Sequence, residues 1–238
     1  MKPNSLRCKS SWKQKRLFPF LYLNVTIEIK NKLAEGYFDN TDLIEKLDVV
    51  FANRYLQAYR DYEQRKPISA SWQVAFEATN LWKPLVIQHL FLGMNAHISF
   101  DLGIAAATVA PGNSIHNIKT DFERVNEILS SKINPVQDNL SAIWPFLKPI
   151  DWIMGNIDES LASFSIRVAR DAAWKMAVEL ASFQTETEKQ QYLSFRDNKV
   201  ANFGNKLYHP GILLSLLLGL IRLGETGNIA DKIRILSR

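Results

Sequence analysis

His97 and Asp101 stand four residues apart in a stretch of chain with almost no other charge. On a helix that spacing puts both side chains on one face, close enough to meet. They also fall on the stripe that carries Leu90 and Met94, so a polar pair occupies positions where apolar side chains are expected. Three chemistries are open to such a pair. Asp101 could orient the imidazole and raise its basicity for general acid/base work. The two could supply ligands to one divalent transition metal, with other helices completing the set. Or they could satisfy each other and tie helices together with no further role. His89 lies about 80° around the helix from His97 and roughly 12 Å along it. It is therefore a supporting donor rather than a third ligand on the same metal.

Other polar residues could converge on this pair. Asp121 flanks the apolar stripe of Ile118, Phe122 and Val125, where a carboxylate needs a partner. Asn126 follows about one turn later on the same segment. Arg167, Arg170, Asp171 and Trp174 cluster further on, with Arg167 and Asp171 spaced for an i,i+4 ion pair. An arginine here could hold a buried carboxylate ionised, bind an anionic substrate with two parallel bonds, or tie helices. The expected catalytic set is His97, Asp101, Asp121 and Arg170. His89, Asn95, Asn126, Asp171 and Trp174 are expected around the pocket, and His97 with Asp101 are the candidate metal ligands. His116 and His209 fall in expected loops.

Several common chemistries have no counterpart in the sequence. There is no GxGxxG after a strand, no GxxxxGK[ST] loop and no GxSxG elbow. HExxH is absent, and no Glu precedes a His by three residues as di-iron bundles require. The single cysteine, Cys8, excludes an internal disulfide and any multi-cysteine metal site.

The elements that must position these residues read as helices. Ile44, Leu47, Phe51, Tyr55, Ala58 and Tyr62 recur at spacings of three and four, predicting an amphipathic helix over 41–63. A shorter helix is expected over about 27–35, entered at Thr26 and stopped by Gly36. Another runs from Trp72 to Leu81. Pro84 suits the first turn of the next, a central helix over about 84–108 wrapped by the others. Gly93, Gly103 and Ala105–Ala107 would let neighbouring backbones approach it closely. Further helices are expected at about 114–131, 135–147, 158–183, 187–202 and 211–223, with Leu161, Phe164, Val168, Ala172 and Val178 as the apolar face of the 158–183 helix. The polar, interrupted region 184–211 is a candidate mobile loop or lid. The fold class is all-α, a single-domain multi-helix bundle around the buried central helix.

The 238 residues are one ordinary domain's worth of chain, and 47% hydrophobic with 22% charged residues excludes the disordered and collagenous classes. The net charge of +5 is concentrated in a leader. Lys2, Arg7, Lys9, Lys13, Lys15 and Arg16 precede the first acid, Glu28; removing these 6 from 29 basic residues leaves 23 against 24 acids. Residues 1–23 are thus expected as a basic, disordered leader and 24–238 as one helical domain without a nucleic-acid partner. The run Leu17–Leu23 is short, contains Pro19 and lacks a small-x-small cleavage site, so it reads as chain packing on the domain rather than a signal peptide. From Pro84 to Phe100 no residue is charged, but Gln88, His89, Asn95 and His97 punctuate the stretch, against a transmembrane span. A cytoplasmic location follows as the default, and the sequons at Asn24 and Asn139 then carry no meaning.

The string Met94-Asn95-Ala96-His97-Ile98-x-x-Asp101-Leu102-Gly103 is similar to the core motif of a bacterial family defined as domain of unknown function 5995. Leu47 to Tyr55, followed by Trp72 and Phe76, resembles its N-terminal portion. Asp121-Phe122 with Asn126, and Ala169-Arg170 with Trp174, resemble its later blocks. The resemblance covers about 24–236, leaves the basic leader outside, and implies one domain while carrying no activity or cofactor across. A more distant likeness is to the all-helical zinc-dependent phospholipase C and nuclease group, which also uses HxxxD on helices. Those sites need more histidines than the four present here, so a three-metal cluster is not expected, while one metal stays open.

Two functional readings follow. One is a helical, hydrolase-like enzyme with a buried His/Asp pocket, with or without one metal. The other is a non-catalytic protein that holds an apolar or amphipathic small molecule between helices, with the His/Asp pair purely structural. Trp72, Phe76, Trp82 and Trp174 encourage the second.

Overall fold

A computed structural model describes residues 17–81, 84–125, 127–129 and 166–209. Among these the chain is all-α, with no strand. The helices are α1 (Leu17–Ala34), α2 (Thr41–Glu63), α3 (Ala70–Ala78), α4 (Val86–Ala96), α5 (Leu102–Val109), α6 (Ile166–Ser182) and α7 (Glu186–Tyr208). A π-helical turn, His97–Asp101, joins α4 to α5, and a 3₁₀ segment, Gly112–Ile118, leads into helical residues 119–125. The helices expected at 135–147 and 211–223 lie outside the described residues, as do residues 1–16 and Trp82.

The first helix begins earlier than its periodicity suggested. Residues 17–23, assigned to a leader, form the opening turns of α1. Pro19 falls where a helix has no use for its N–H. The ring of Phe18 lies against Gly93 of α4, where a Cβ would sit 2.8 Å from it. The helix ends as expected: Gly36, at φ +67°, lets the Gly36 amide reach the Leu33 carbonyl and the Tyr37 amide reach Lys32. The same closing pattern ends α2, with Arg65 at φ 58° in the left-handed position.

The expected central helix is present but interrupted. Leu85 takes the N-cap and Pro84 stands outside it, with the Gln88 side chain accepting from the Leu85 amide. Within the π turn the Leu102 amide donates to the His97 carbonyl, five residues back. By length and composition Gln88–Val109 could cross a membrane, and 78% of its apolar window is covered by the protein itself. Around it stand α1, α2, α3, α6 and α7.

Within the polar region 184–211, the helix expected at 187–202 is present and longer, spanning Glu186–Tyr208. Thr185 caps α7 through its hydroxyl, which accepts from the Glu188 amide, while Glu188 accepts in return from Thr185. From this helix Asp197 accepts the Ala70 and Ser71 amides, closing the orphan donors at the start of α3. The α6 face is also rotated from expectation. Val168 is exposed, and Ala169, Ala173, Met176, Ala177 and Leu180 make the buried stripe. That stripe is small because α5 packs close: a Cβ on Gly103 would lie 2.9 Å from the Ala173 carbonyl oxygen. Backbone cannot yield as a side-chain tip can. We predict that Gly103→Ala lowers stability by about 1–3 kcal/mol in urea denaturation, despite alanine's better helix propensity. An unchanged or higher stability would show that α5 and α6 have room to separate.

Candidate functional site

The pair singled out in the sequence is buried and joined. His97 Nδ1 lies 3.3 Å from Asp101 Oδ2, and both residues are 1% exposed. Asp101 is also the acceptor for two other helices. Arg54 of α2 donates Nε–H to Oδ1 at 2.8 Å, and Trp72 of α3 donates Nε1–H to Oδ2 at 2.8 Å. A carboxylate only accepts, so the histidine proton on this side is on Nδ1, leaving Nε2 with a lone pair. No group among the described residues bonds that nitrogen.

Aromatic rings fix the imidazole plane. Phe51 stacks on it at 3.6 Å and 6°, while Tyr22 and Phe18 meet it edge-on at 4.8 and 5.5 Å. Burial lowers the imidazole pKa below its ordinary value, outweighing the opposing pull of Asp101. The ring is therefore neutral at pH 7.

His97 forms part of the wall of a cavity of about 80 Å³, against roughly 10–15 Å³ for one water. Val25, Ile29, Ile44, Leu47, Ile98 and Leu102 give it an apolar lining. Four polar side chains interrupt that lining: Tyr22, Asp48, His97 and Arg170. Burial raises the Tyr22 phenol, keeping it neutral, and raises the Asp48 carboxyl to about 6. Arg170 is 3% exposed, donates Nη2–H to the Phe122 carbonyl at 2.6 Å and lies over the Phe122 ring at 4.4 Å.

The remaining sequence candidates do not gather at His97. Asp121 is fully buried, but its oxygens accept from the Asp39 and Asn40 amides and from Arg124. It anchors the turn before α2, so it is no second carboxylate for His97. Asn95 donates to the Val200 carbonyl and binds α4 to α7. His89 is buried on α4 but does not line the cavity. Trp174 is half-buried, 5.0 Å from the Phe122 ring and off the cavity wall. Arg167 and Asp171 are exposed. The Asn126 side chain lies outside the described residues. Both Asp101 oxygens are engaged by protein donors, and no group of three His, Cys, Asp or Glu among the described residues could hold a metal.

Sequence reasoning missed Phe18, Tyr22, Asp48 and Arg54. Phe18 and Tyr22 were hidden in a segment read as leader. Asp48 was legible by the rule that found Asp101, because it interrupts the Ile44, Leu47, Phe51 stripe.

A family model described as DUF5995, a family of unknown function, matches residues 1–210. The chain belongs to the DUF5995 family. The DUF5995 match includes the basic leader and stops short of residue 236, so the family's extent differs at both ends from the motif resemblance. Neither a curated protein nor a solved structure matches the chain.

The two titratable groups on the wall oppose each other in pH. The lowered His97 pKa contributes stability that is present above the unfolded value near 6.5 and lost as pH falls toward the folded one. The raised Asp48 pKa does the reverse: its contribution is complete below 3.8 and is lost as pH rises through about 6. We predict that Asp48→Asn stabilises the protein by about 1–3 kcal/mol at pH 8, and by nothing measurable near pH 3.5. Denaturant titrations at both pH values read this directly; an equal effect at the two would contradict burial of an ionisable Asp48.

Proposed function

We propose that this DUF5995 chain binds a small apolar or amphipathic molecule in the cavity between α1, α2, the end of α4, the π turn, α5, Val125, Leu129 and α6. One observation carries the reading: an apolar-walled cavity whose few polar groups include a buried imidazole nitrogen and a guanidinium N–H without partners among the described residues. Ligand sites have this composition, apolar for affinity and sparsely polar for orientation. A merely structural His–Asp clamp needs no such space beside it.

A second reading, proton-transfer catalysis of a hydrolytic kind, is favoured by the Asp101–His97 geometry. Asp101 orients Nδ1–H, and neutral Nε2 can accept a proton. No Ser, Thr or Cys is among the lining residues described, so water or the bound molecule would have to supply the nucleophile. Binding is the simpler requirement and is common to both readings. The engagement of Asp101 by Arg54 and Trp72 removes the support for metal ligation by the pair.

The test uses 1-aminoanthracene, a small fluorescent apolar probe. Wild-type protein is expected to give a saturable, one-site fluorescence increase. Val25→Trp, which fills the cavity from α1, is expected to weaken it by about tenfold or more while keeping the helical circular dichroism, since overpacking a cavity removes ligand space before it removes the fold. Equal binding by the two proteins, or none by the wild type, would overturn the proposal.

A further inference from the structure

Arg170 is the unusual member of the cavity wall. A guanidinium carries five N–H donors and is normally buried only against carboxylates or phosphates. Here one nitrogen donates to a backbone carbonyl, the Phe122 ring lies beneath the charge, and Nε has no acceptor among the described residues. The adjacent carboxylate, Asp171, is exposed, and its charge only partly offsets the effect of burial on Arg170. Among the described residues no carboxylate forms an ion pair with Arg170. Burial lowers its pKa only to about 9, so it stays cationic at neutral pH.

The other wall groups do not replace that missing charge. Asp48 is the one acid among the described lining residues, and it is half-buried on α2 beside Tyr22 rather than bonded to Arg170. His97 is neutral, and its free nitrogen is an acceptor, with no proton to offer an anion. Among the described lining residues Arg170 is thus the sole cationic side chain, on a wall that is mostly apolar. A buried cation with no ion-paired carboxylate among the described residues is costly for the fold, and a ligand anion would offset that cost on binding.

We infer that the cavity takes an amphiphile with a single anionic headgroup, its carboxylate or equivalent paired with Arg170 and its apolar body lying among Ile44, Leu47, Ile98 and Leu102. The inference rests on the binding reading above and adds to it the headgroup and the residue that selects it. Selectivity would then come from one charge-assisted contact in a dry site, where such bonds are strongest.

Three eight-carbon amphiphiles that differ in headgroup charge test it: octanoate, 1-octanol and octylamine, each displacing 1-aminoanthracene from the full chain at pH 7.5. Octanoate is expected to displace the probe at about tenfold lower concentration than octanol, the size of one charged hydrogen bond. Octylamine is expected to be weakest. Arg170→Gln should bring octanoate to within about threefold of octanol and leave octanol itself unchanged. The wild-type series stands alone should Arg170→Gln fail to fold. Octanol equal to octanoate would overturn the headgroup assignment and leave the pocket standing. Octylamine tighter than octanoate would overturn it in favour of Asp48 as the polar anchor. Failure of the probe itself to bind, or of every amphiphile to displace it, would instead remove the binding reading on which the inference rests.

Discussion

The Asp101 carboxylate is the interaction on which the arrangement depends. It accepts from Arg54 on α2, from Trp72 on α3 and from His97 on its own helix. Those three bonds join elements distant in sequence at one buried point. A carboxylate that is 1% exposed would be costly alone, because water can no longer solvate it. With three donors, one of them cationic, its acceptor capacity is largely used. The π turn belongs to the same arrangement. Widening the helix between His97 and Asp101 departs from regular α geometry, as π turns at functional sites often do, and the bonds to Asp101 hold that departure in place.

Because Asp101 takes one nitrogen of His97, the other is committed to the opposite side, among Phe51, Tyr22 and Phe18. The cavity lies beside the polar node: one nitrogen of the imidazole is bonded to Asp101, and the ring forms part of the cavity wall. Asp48 and Arg170 extend the pattern along the wall. Each is a charged group in a place where burial disfavours charge, and a protein selected for stability alone would replace both. Asp121 and Asp197 show the contrast. Both spend their oxygens on backbone amides at helix starts, and neither lines the cavity.

The all-α fold was legible because helical periodicity is strong in α2 and in the central helix, and the His97–Asp101 pair was legible because a polar pair interrupts an apolar stripe. What failed did so for physical reasons. The start of α1 was obscured by basic residues just before it and by Pro19, which a first turn tolerates. α7 was legible as a helix only over 187–202, within a region that reads as a loop or lid, because its mean pattern is polar; it is held through Asp197, Val200 and a capping box rather than by a broad apolar face. Spacing cannot show which buried carboxylate faces which partner, so Asp121 was grouped with a histidine it does not touch. Arg54 went unnoticed because its stem lies half-buried on α2 while its head reaches across to another helix.

The most direct test of this account is the ¹⁵N NMR signature of the His97 ring across pH 5.5–8. The account predicts a neutral ring at pH 7 with the proton on Nδ1 and an unprotonated Nε2 whose resonance moves when octanoate binds. A ring protonated on Nε2 at pH 7, as the other tautomer or as imidazolium, would contradict the claim that Asp101 presents a free imidazole nitrogen to the cavity.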